Sequence, residues 1–223
     1  MCLVLLAWRT LPGNALVVAA NRDEFHARAS RAAGFWDDRR DILAGRDLQA
    51  NGTWMGVARS GRFAAVTNYR GAREPAAEHS RGALVAGFLS GTTSASFYAG
   101  EVAGQSASYS GFNLLACDGA ELWWVSNRDG APRRLEPGTY GLGNLLLDSP
   151  VVEPDKRRFR ARLSPAPALE PLFEVLAAAK VVNPQYGTRC STVMSGCGSG
   201  RIRYAERSFA PDGAELETLQ YEF

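Results

Sequence analysis

Short apolar runs separated by turn signals dominate the first seventy residues. Cys2–Trp8 and Ala15–Ala20 are apolar and flank a Pro-Gly-Asn turn, a pattern that predicts a β-hairpin. Thr53–Arg59 and Arg62–Asn68 flank a Ser-Gly turn and predict a second hairpin. A polar loop that begins after the first hairpin and runs to about Asp41 is expected between them.

The middle of the chain changes to helical patterns, and the end returns to strands. Helices are predicted at Ala83–Leu89, Ser94–Gly104, Val152–Leu163 and Ala168–Ala179. Further strands are predicted at Phe112–Cys117, Glu121–Ser126, Thr188–Ser195, Arg201–Phe209 and Leu219–Phe223. Hairpins at both ends with helices between them indicate an α+β fold with largely antiparallel sheets. With no linker or repeat, residues 1–223 are expected to form a single domain.

Composition argues against a nucleic-acid-binding, a membrane-spanning or a metal-binding protein. The 223 residues are 46% hydrophobic and carry a net charge of +2, so no charge excess indicates nucleic acid or an anionic membrane as partner. The apolar runs are too short for a transmembrane segment, and no secretory signal is expected, because the first residues show neither its basic region nor its cleavage site. An Arg-heavy, Ala-rich chain is typical of a high-GC bacterial source. No Cys/His set has zinc-ligand spacing, so no structural metal site is expected. No resident cofactor is expected either.

Cysteine usage fits a reducing cytoplasm. Cys117, Cys190 and Cys197 are expected to be structural thiols without bridges. Cys2 is different, because removal of Met1 would place a free α-amine on the same residue as its thiol. Such an amine, with a pKa near 8, can act as general base toward the thiol. The alternative is that Cys2 is a small buried residue at the start of a strand.

The run Asn21-Arg22-Asp23-Glu24 directly follows the strand predicted to pair with the one that begins at Cys2. These polar side chains are therefore expected within reach of the thiol. Arg22 would stabilise a thiolate or orient a substrate carboxylate, and Asp23 or Glu24 would hold the α-ammonium. The alternative is a solvated turn with a local salt bridge.

Three further polar residues are candidates for the same site. Asn68 and Asn144 stand at comparable strand ends, where an amide N–H suits an oxyanion donor; the alternative is that each caps a turn. Arg207 lies in a predicted strand and is expected to pair with Glu206 or with a group in the cleft.

Several colinear blocks resemble the NRDE family, whose eukaryotic members are the transport and Golgi organization protein 2 homologues. The blocks are Met1-Cys2, Ala20–Phe25, Gly45–Asp47, Gly52–Val57, Phe63–Arg70, Gly111–Leu115, Gly138–Leu142, Asn144, Leu146–Pro150, Tyr186–Arg189 and Glu206–Phe209. This family is similar in architecture to N-terminal-nucleophile hydrolases, especially the bile-salt hydrolase and penicillin acylase branch. The resemblance implies an αββα sandwich of two stacked antiparallel sheets covered by helices.

The resemblance also implies roles for individual residues. By order and context, the best matches to the catalytic residues of that branch are Cys2, Arg22, Asp23, Asn68, Asn144 and Arg207. The acid stays open between Asp23 and Glu24, because that branch spaces its Arg and Asp differently. The residues expected to bind substrate are Asn21, Glu24, Tyr69 and Arg189.

Two functions remain open. In the first, Cys2 is the nucleophile of a cytoplasmic hydrolase or acyl transferase acting on a small C–N amide or a thioester, with Asn68 at the oxyanion. In the second, the same cleft carries haem, acyl-CoA or another lipid without catalysis, as the resemblance to the eukaryotic homologues implies. Cys2 or His26 would then ligate haem, and arginines would hold propionates or phosphates. Neither hypothesis establishes the oligomeric state.

Overall fold

The computed structural model describes residues 2–71, 77–163, 168–198 and 200–223. Within these ranges the strands are β1 (Leu3–Leu11), β2 (Asn14–Phe25), β3 (Ser30–Phe35), β4 (Ile42–Asp47), β5 (Met55–Ala58), β6 (Phe63–Asn68), β7 (Phe112–Cys117), β8 (Leu122–Ser126), β9 (Arg133–Arg134), β10 (Gly138–Leu142), β11 (Tyr186–Ser195), β12 (Arg203–Phe209) and β13 (Glu215–Glu222). The helices are α1 (Gly82–Ser90), α2 (Ala95–Gly104), α3 (Glu153–Arg162) and α4 (Leu169–Ala177).

These strands form two antiparallel sheets. The six-stranded sheet has the order β10-β1-β2-β11-β12-β13, and the seven-stranded sheet has the order β3-β4-β5-β6-β7-β8-β9. β1 and β2 lie in the interior of the six-stranded sheet, so both edges of each strand are hydrogen-bonded. The sheets bring the start of β1 and the ends of β2 and β6 to the same cleft.

Alternating side chains of the strands build three apolar layers. Leu6 of β1 and Phe63 of β6 belong to the core between the sheets. Leu5, on the opposite face of β1, belongs to the core that includes Phe159 of α3. Phe88 of α1 lies in the third core, between α1, α2 and the seven-stranded sheet. The order of layers is therefore helix, sheet, sheet, helix, which confirms the αββα sandwich.

The helices agree with the apolar spacing of the sequence. All four predicted helices are confirmed to within one or two residues at each end. None of the helices in the described ranges is long and apolar enough to cross a membrane.

The second strand is longer than the sequence indicated. β2 continues to Phe25, so the run Asn21-Arg22-Asp23-Glu24 lies inside the strand and not in a loop beyond it. The reason is pairing on both sides: β11 forms a ladder with β2 as far as the pair Tyr186 and Phe25. Backbone hydrogen bonds to two neighbours keep these polar residues in the sheet.

Other strands were missed in segments of weak alternation. β3 falls in the segment expected to be a polar loop, and five of its six residues are partly or fully exposed at the sheet edge. β4, β9 and β10 were also not predicted, and β13 begins four residues before the predicted start at Leu219. These segments form strands because they pair with neighbouring strands in the folded sheet, and local sequence does not reveal that pairing.

Candidate functional site

Cys2 directly precedes β1 and lies on the side of the sheet that faces the cleft. Its side chain is half-buried, and its Sγ–H donates to the backbone carbonyl of Asp23 across 3.4 Å. Burial raises the pKa of the Cys2 thiol, because the charged thiolate loses hydration. The thiol therefore requires a base to become nucleophilic at neutral pH.

The Cys2 cleft has a volume of about 370 Å³. The six-stranded sheet and the segment after β2 supply Cys2, Arg22, Asp23, Glu24 and Arg28. The seven-stranded sheet and its loops supply Asp47, Ala50, Thr53, Trp54, Val66 and Asn68. The start of α1 and its neighbouring segments supply Ala77, His79, Ser80, Arg81, Gly82 and Ser110. The cleft is thus lined by both charges and hydrogen-bonding groups beside the indole of Trp54.

Arg22 is the buried cation of this cleft. Only 6% of it is exposed, and its guanidinium carbon lies 4.2 Å from the ring centroid of Trp54. Nη2 lies 3.7 Å from Oε2 of Glu24, whereas Nη1 is buried with no hydrogen-bond partner in the described structure. Arg22 opposes the effect of burial on the pKa of the Cys2 thiol. It therefore offers an unused donor to an electron-rich atom near the thiol.

The two candidate acids have different partners. Asp23 is 4% exposed, and its Oδ1 accepts a 2.6 Å hydrogen bond from the hydroxyl of Thr188. Its charge also raises the pKa of the Cys2 thiol, although less than burial does. Glu24 accepts from the backbone N–H of Phe25 and places Oε2 3.7 Å from both Arg22 and Arg28. Asp23 is therefore the acid whose charge acts on the Cys2 thiol, and Glu24 lies between two cationic side chains.

Arg28 and Asp47 form an ion pair in the cleft wall that the sequence did not single out. Nη2 of Arg28 lies 2.7 Å from Oδ2 of Asp47, and Nε adds a second hydrogen bond. Partial burial alone would raise the pKa of Asp47, but these bonds and two backbone donors outweigh it and lower the pKa. The pair fixes the orientation of two charges at the cleft.

Asn68 and Asn144 have different positions relative to the cleft. Asn68 lines the cleft, and no described group hydrogen-bonds its side chain, so its amide is available to a ligand. Asn144 is buried and donates from Nδ2 to the backbone carbonyl of Asn68 across 2.7 Å, while its own carbonyl accepts from the N–H of Arg70. Asn144 thus supports the end of β6, and does not itself line the cleft as described.

Arg207 does not line the cleft, although the resemblance of the chain to N-terminal-nucleophile hydrolases implied that it would. Its guanidinium forms ion pairs with Glu170 and Glu215 and lies 4.1 Å from the ring centroid of Phe173 in α4. Strand alternation is the reason: Glu206 faces the core between the sheets, so the next side chain faces the helices.

Asn21 also faces the helices. Its Nδ2 donates to the carbonyl of Leu176, and its Oδ1 accepts from the hydroxyl of Ser191. Both polar ends of a side chain that is 2% exposed are therefore satisfied within the protein. Both polar ends of the Asn21 side chain are therefore directed away from the Cys2 cleft, and its expected contact with substrate stays a prediction.

The other expected binding residues lie at the margin of the site. Nη1 of Arg189 donates to the backbone carbonyls of Phe25, His26 and Arg28, so Arg189 holds the segment that follows β2. Tyr69 is absent from the described lining of the cleft. His26, named above as a haem ligand, places Nε2 3.0 Å from the carbonyl of Asn183.

Tyr186 is a neighbour of the thiol that the sequence analysis did not identify as functional. Its hydroxyl donates across 3.2 Å to the Asp23 carbonyl that also accepts from Cys2. Burial raises the pKa of Tyr186 well above its ordinary value, so the hydroxyl stays protonated. The one sequence feature that could have indicated a role for Tyr186 is its position in Tyr186–Arg189, a segment that resembles the NRDE family.

No group of three or more His, Cys, Asp or Glu side chains in the described ranges is placed to hold a metal ion. All four cysteines are free thiols. The chemistry that the described cleft supports is accordingly that of a thiol, a guanidinium, carboxylates and an amide.

Comparisons with known proteins agree with this architecture. The sequence pattern of the family described as Transport and Golgi organisation 2 matches residues 1–184. The Transport and Golgi organization protein 2 homologue of Bos taurus is 34% identical over 272 residues, and that of Homo sapiens is 33% identical over 273. Each comparison covers 100% of this chain and 99% of the relative.

Two solved structures share the fold. Penicillin V acylase from Agrobacterium tumefaciens superposes with a TM-score of 0.60 at 12% identity, covering 93% of this chain and 83% of that chain. The C2A mutant of conjugated bile acid hydrolase from Clostridium perfringens gives 0.57 at 10% identity, covering 98% and 97%. At such low identities the likeness establishes the fold, which is that of the N-terminal-nucleophile hydrolases.

Proposed function

The chain belongs to the Transport and Golgi organisation 2 family, and we propose that it is an N-terminal cysteine hydrolase or acyl transferase for small amides or thioesters. One observation carries the proposal. The thiol of Cys2 lies in a cleft beside a buried arginine whose Nη1 has no partner, within a fold shared with an acylase and a hydrolase.

Removal of Met1 creates the catalytic base. While Met1 is present, the nitrogen of Cys2 is part of a peptide bond and has no basicity. Its release gives an α-amine with an ordinary pKa of about 8 on the same residue as the thiol. Burial raises the pKa of that thiol, so a base this close is the means of forming a thiolate.

The reaction starts when Sγ of Cys2 bonds to the carbonyl carbon and the α-amine accepts the thiol proton. The tetrahedral intermediate collapses by breaking the C–N bond of an amide or the C–S bond of a thioester, and the leaving group takes the proton from the α-ammonium. A thioester remains on Cys2. Water, or another acceptor, then adds to this thioester and gives its proton to the amine, and the C–S bond to Cys2 breaks to regenerate the thiol.

Two groups stabilise the oxyanion that forms in each step. The Asn68 side chain lines the same cleft as Cys2 and has no described hydrogen-bond partner. Nη1 of Arg22 is buried and equally without one. A donor that is already held in place, as Nη1 of Arg22 is by burial and by the contact of the guanidinium with Trp54, costs little reorganisation when charge develops. Asn144 acts indirectly, because it holds the backbone of Asn68.

Asp23 positions the amine. Its carboxylate is held by the hydroxyl of Thr188, which in turn accepts from the backbone N–H of Val181. Its backbone carbonyl receives both the thiol of Cys2 and the hydroxyl of Tyr186. Asp23 therefore orients residue 2 through its backbone and stabilises the α-ammonium through its side chain.

The cleft favours a small polar substrate. Its volume of about 370 Å³ is near the lower end of the roughly 300–1,000 Å³ usual for small-molecule sites. Charges from Arg28 and Asp47 in its wall favour an acyl or leaving group with hydrogen-bonding atoms over a long hydrocarbon chain.

The test is turnover by the purified chain, first checked by intact mass for the loss of Met1. A panel of small amides and thioesters is incubated with the wild type and Cys2→Ala, with Cys190→Ala as the matched control for removal of a buried thiol. We expect release of the leaving group by the wild type and the control, and none by Cys2→Ala. If the wild type and both variants bind haem or acyl-CoA but none of the three turns over any substrate of the panel, the result would instead support the hypothesis of a non-catalytic carrier.

A further inference from the structure

A pair of thiols lies at the end of the sandwich remote from the Cys2 cleft. Cys117 is the last residue of β7, whose opposite end pairs with Asn68. Cys197 follows β11 near the point where that strand pairs with Val17, far along β2 from Arg22. The two sulfurs are 3.3 Å apart, although 80 positions separate the residues in sequence.

Both sulfurs are oriented by backbone groups. Cys197 donates its S–H to the carbonyl of Gly61 across 2.9 Å, and the N–H of Gly119 donates to Cys117 across 3.4 Å. The N–H of Gly198 also donates to Gly61, and a Cβ on either Gly61 or Gly119 would overlap the Gly198 backbone. Absence of side chains at these turns lets the two sheets approach closely enough for the thiols to touch.

We propose that Cys117 and Cys197 are a redox-active pair that hydroperoxides convert to a disulfide joining the two sheets. A disulfide needs an S–S distance of about 2.05 Å, so the sulfurs must approach by roughly 1.3 Å. Cys117 is fixed within a strand. Cys197 lies between Gly196 and Gly198, both with positive φ, and its segment has the conformational freedom to make the adjustment.

The chemistry balances with one peroxide per disulfide. The sulfur of Cys197, a residue that is 5% exposed against 0% for Cys117, attacks one oxygen of hydrogen peroxide and becomes a sulfenic acid, and one water is released. The sulfur of Cys117 then attacks that of the sulfenic acid, forming the S–S bond and releasing a second water. Two thiols are oxidised by two electrons, and the peroxide is reduced by two.

The disulfide would change the thermal stability of the protein as well as its mass. It closes a loop spanning 80 positions and so restricts the unfolded chain. From the usual effect of such loops, the melting temperature of the oxidised protein should be higher by about 5–15 °C. This inference does not depend on the reaction at Cys2.

The test treats the purified full chain, in a Cys2→Ala background, with hydrogen peroxide. Free thiols are then blocked under denaturing conditions, and non-reducing peptide mapping identifies any cross-link. We expect a loss of about 2 Da, a peptide joining Cys117 to Cys197, and the higher melting temperature, reversed by a thiol reductant. Cys190 is the internal control, because it is buried but is not in contact with another sulfur among the described residues.

Two variants complete the design. Cys117→Ala should abolish the cross-link and let Cys197 proceed to sulfinic acid, whereas Cys190→Ala should leave the cross-link intact. Retention of both thiols under peroxide, or oxidation of Cys197 to sulfinic acid in the background chain while Cys117 stays free, would overturn the proposal.

Discussion

Replacing Arg22 by Gln should separate its effect on the thiol from its effect on the fold. The substitution removes a positive charge beside Cys2 but keeps a hydrogen-bonding side chain of intermediate length. Arg22 lowers the pKa of the Cys2 thiol, against the larger effect of burial. Its loss therefore raises that pKa further, and less thiolate exists at neutral pH.

The expected change is modest, because burial has the largest effect on the pKa of the Cys2 thiol and the Arg22 charge is one of several smaller effects. Alkylation of Cys2 at a pH below the pKa of the thiol should slow by up to about threefold, since a full pKa unit would change the thiolate fraction about tenfold. The fold should also weaken, contrary to the expectation for an exposed arginine. Arg22 is 6% exposed and stacks on Trp54, a contact of about 0.5–2 kcal/mol. The melting temperature should fall by roughly 2–8 °C.

The assay is the iodoacetamide rate against pH, measured by mass spectrometry on the tryptic peptide that ends at Arg9. Arg31→Gln is the matched control, since that side chain is 67% exposed and lies outside the described lining of the cleft. The control should retain the wild-type rate and melting temperature. A rate profile that is the same for Arg22→Gln as for the wild type would refute the role of this charge.

Three other substitutions have defined outcomes. Thr188→Val removes a buried donor to Asp23 and should lower the free energy of unfolding by about 1–3 kcal/mol in urea denaturation; no change would contradict the buried hydrogen bond. Arg207→Gln should leave the Cys2 alkylation profile unchanged, because Arg207 faces the helices; slower labelling would place it back at the site. Burial raises the pKa of Glu206, so its contribution to stability is greatest below the unfolded-state pKa of about 4.3 and is lost as pH rises through the folded-state pKa. Glu206→Gln should therefore raise the melting temperature more at pH 8 than at pH 5, and an equal change at both would argue against a raised pKa.

The layers of the fold could be predicted from local pattern, whereas strand limits depended on distant partners. The continuous apolar run of β1 and the apolar stretch of α1 reflect burial that each segment shows in its own sequence. The polar end of β2 shows no such pattern. It is a strand because β11, more than 160 residues later, pairs with it.

The same distinction applies to the candidate site. Cys2, Arg22 and Asn68 line one cleft, because they stand at or near strand ends that the two sheets bring together. Arg207 was misplaced because one position of alternation moves a side chain to the other face of the sheet. The contact of Tyr186 with Asp23 arises only in the folded sheet.

The most direct measurement of the central claim compares two forms of the chain, one that has lost Met1 and one that retains it through inhibition of methionine aminopeptidase in the expression host. Both are incubated with an activated acyl thioester, and adducts are located by intact mass and peptide mapping. If the free α-amine of Cys2 is the base, a single acyl group should accumulate on Cys2 of the Met1-free form and not on the other. Equal acylation of Cys2 in both forms, or acylation of other residues alone, would contradict the mechanism.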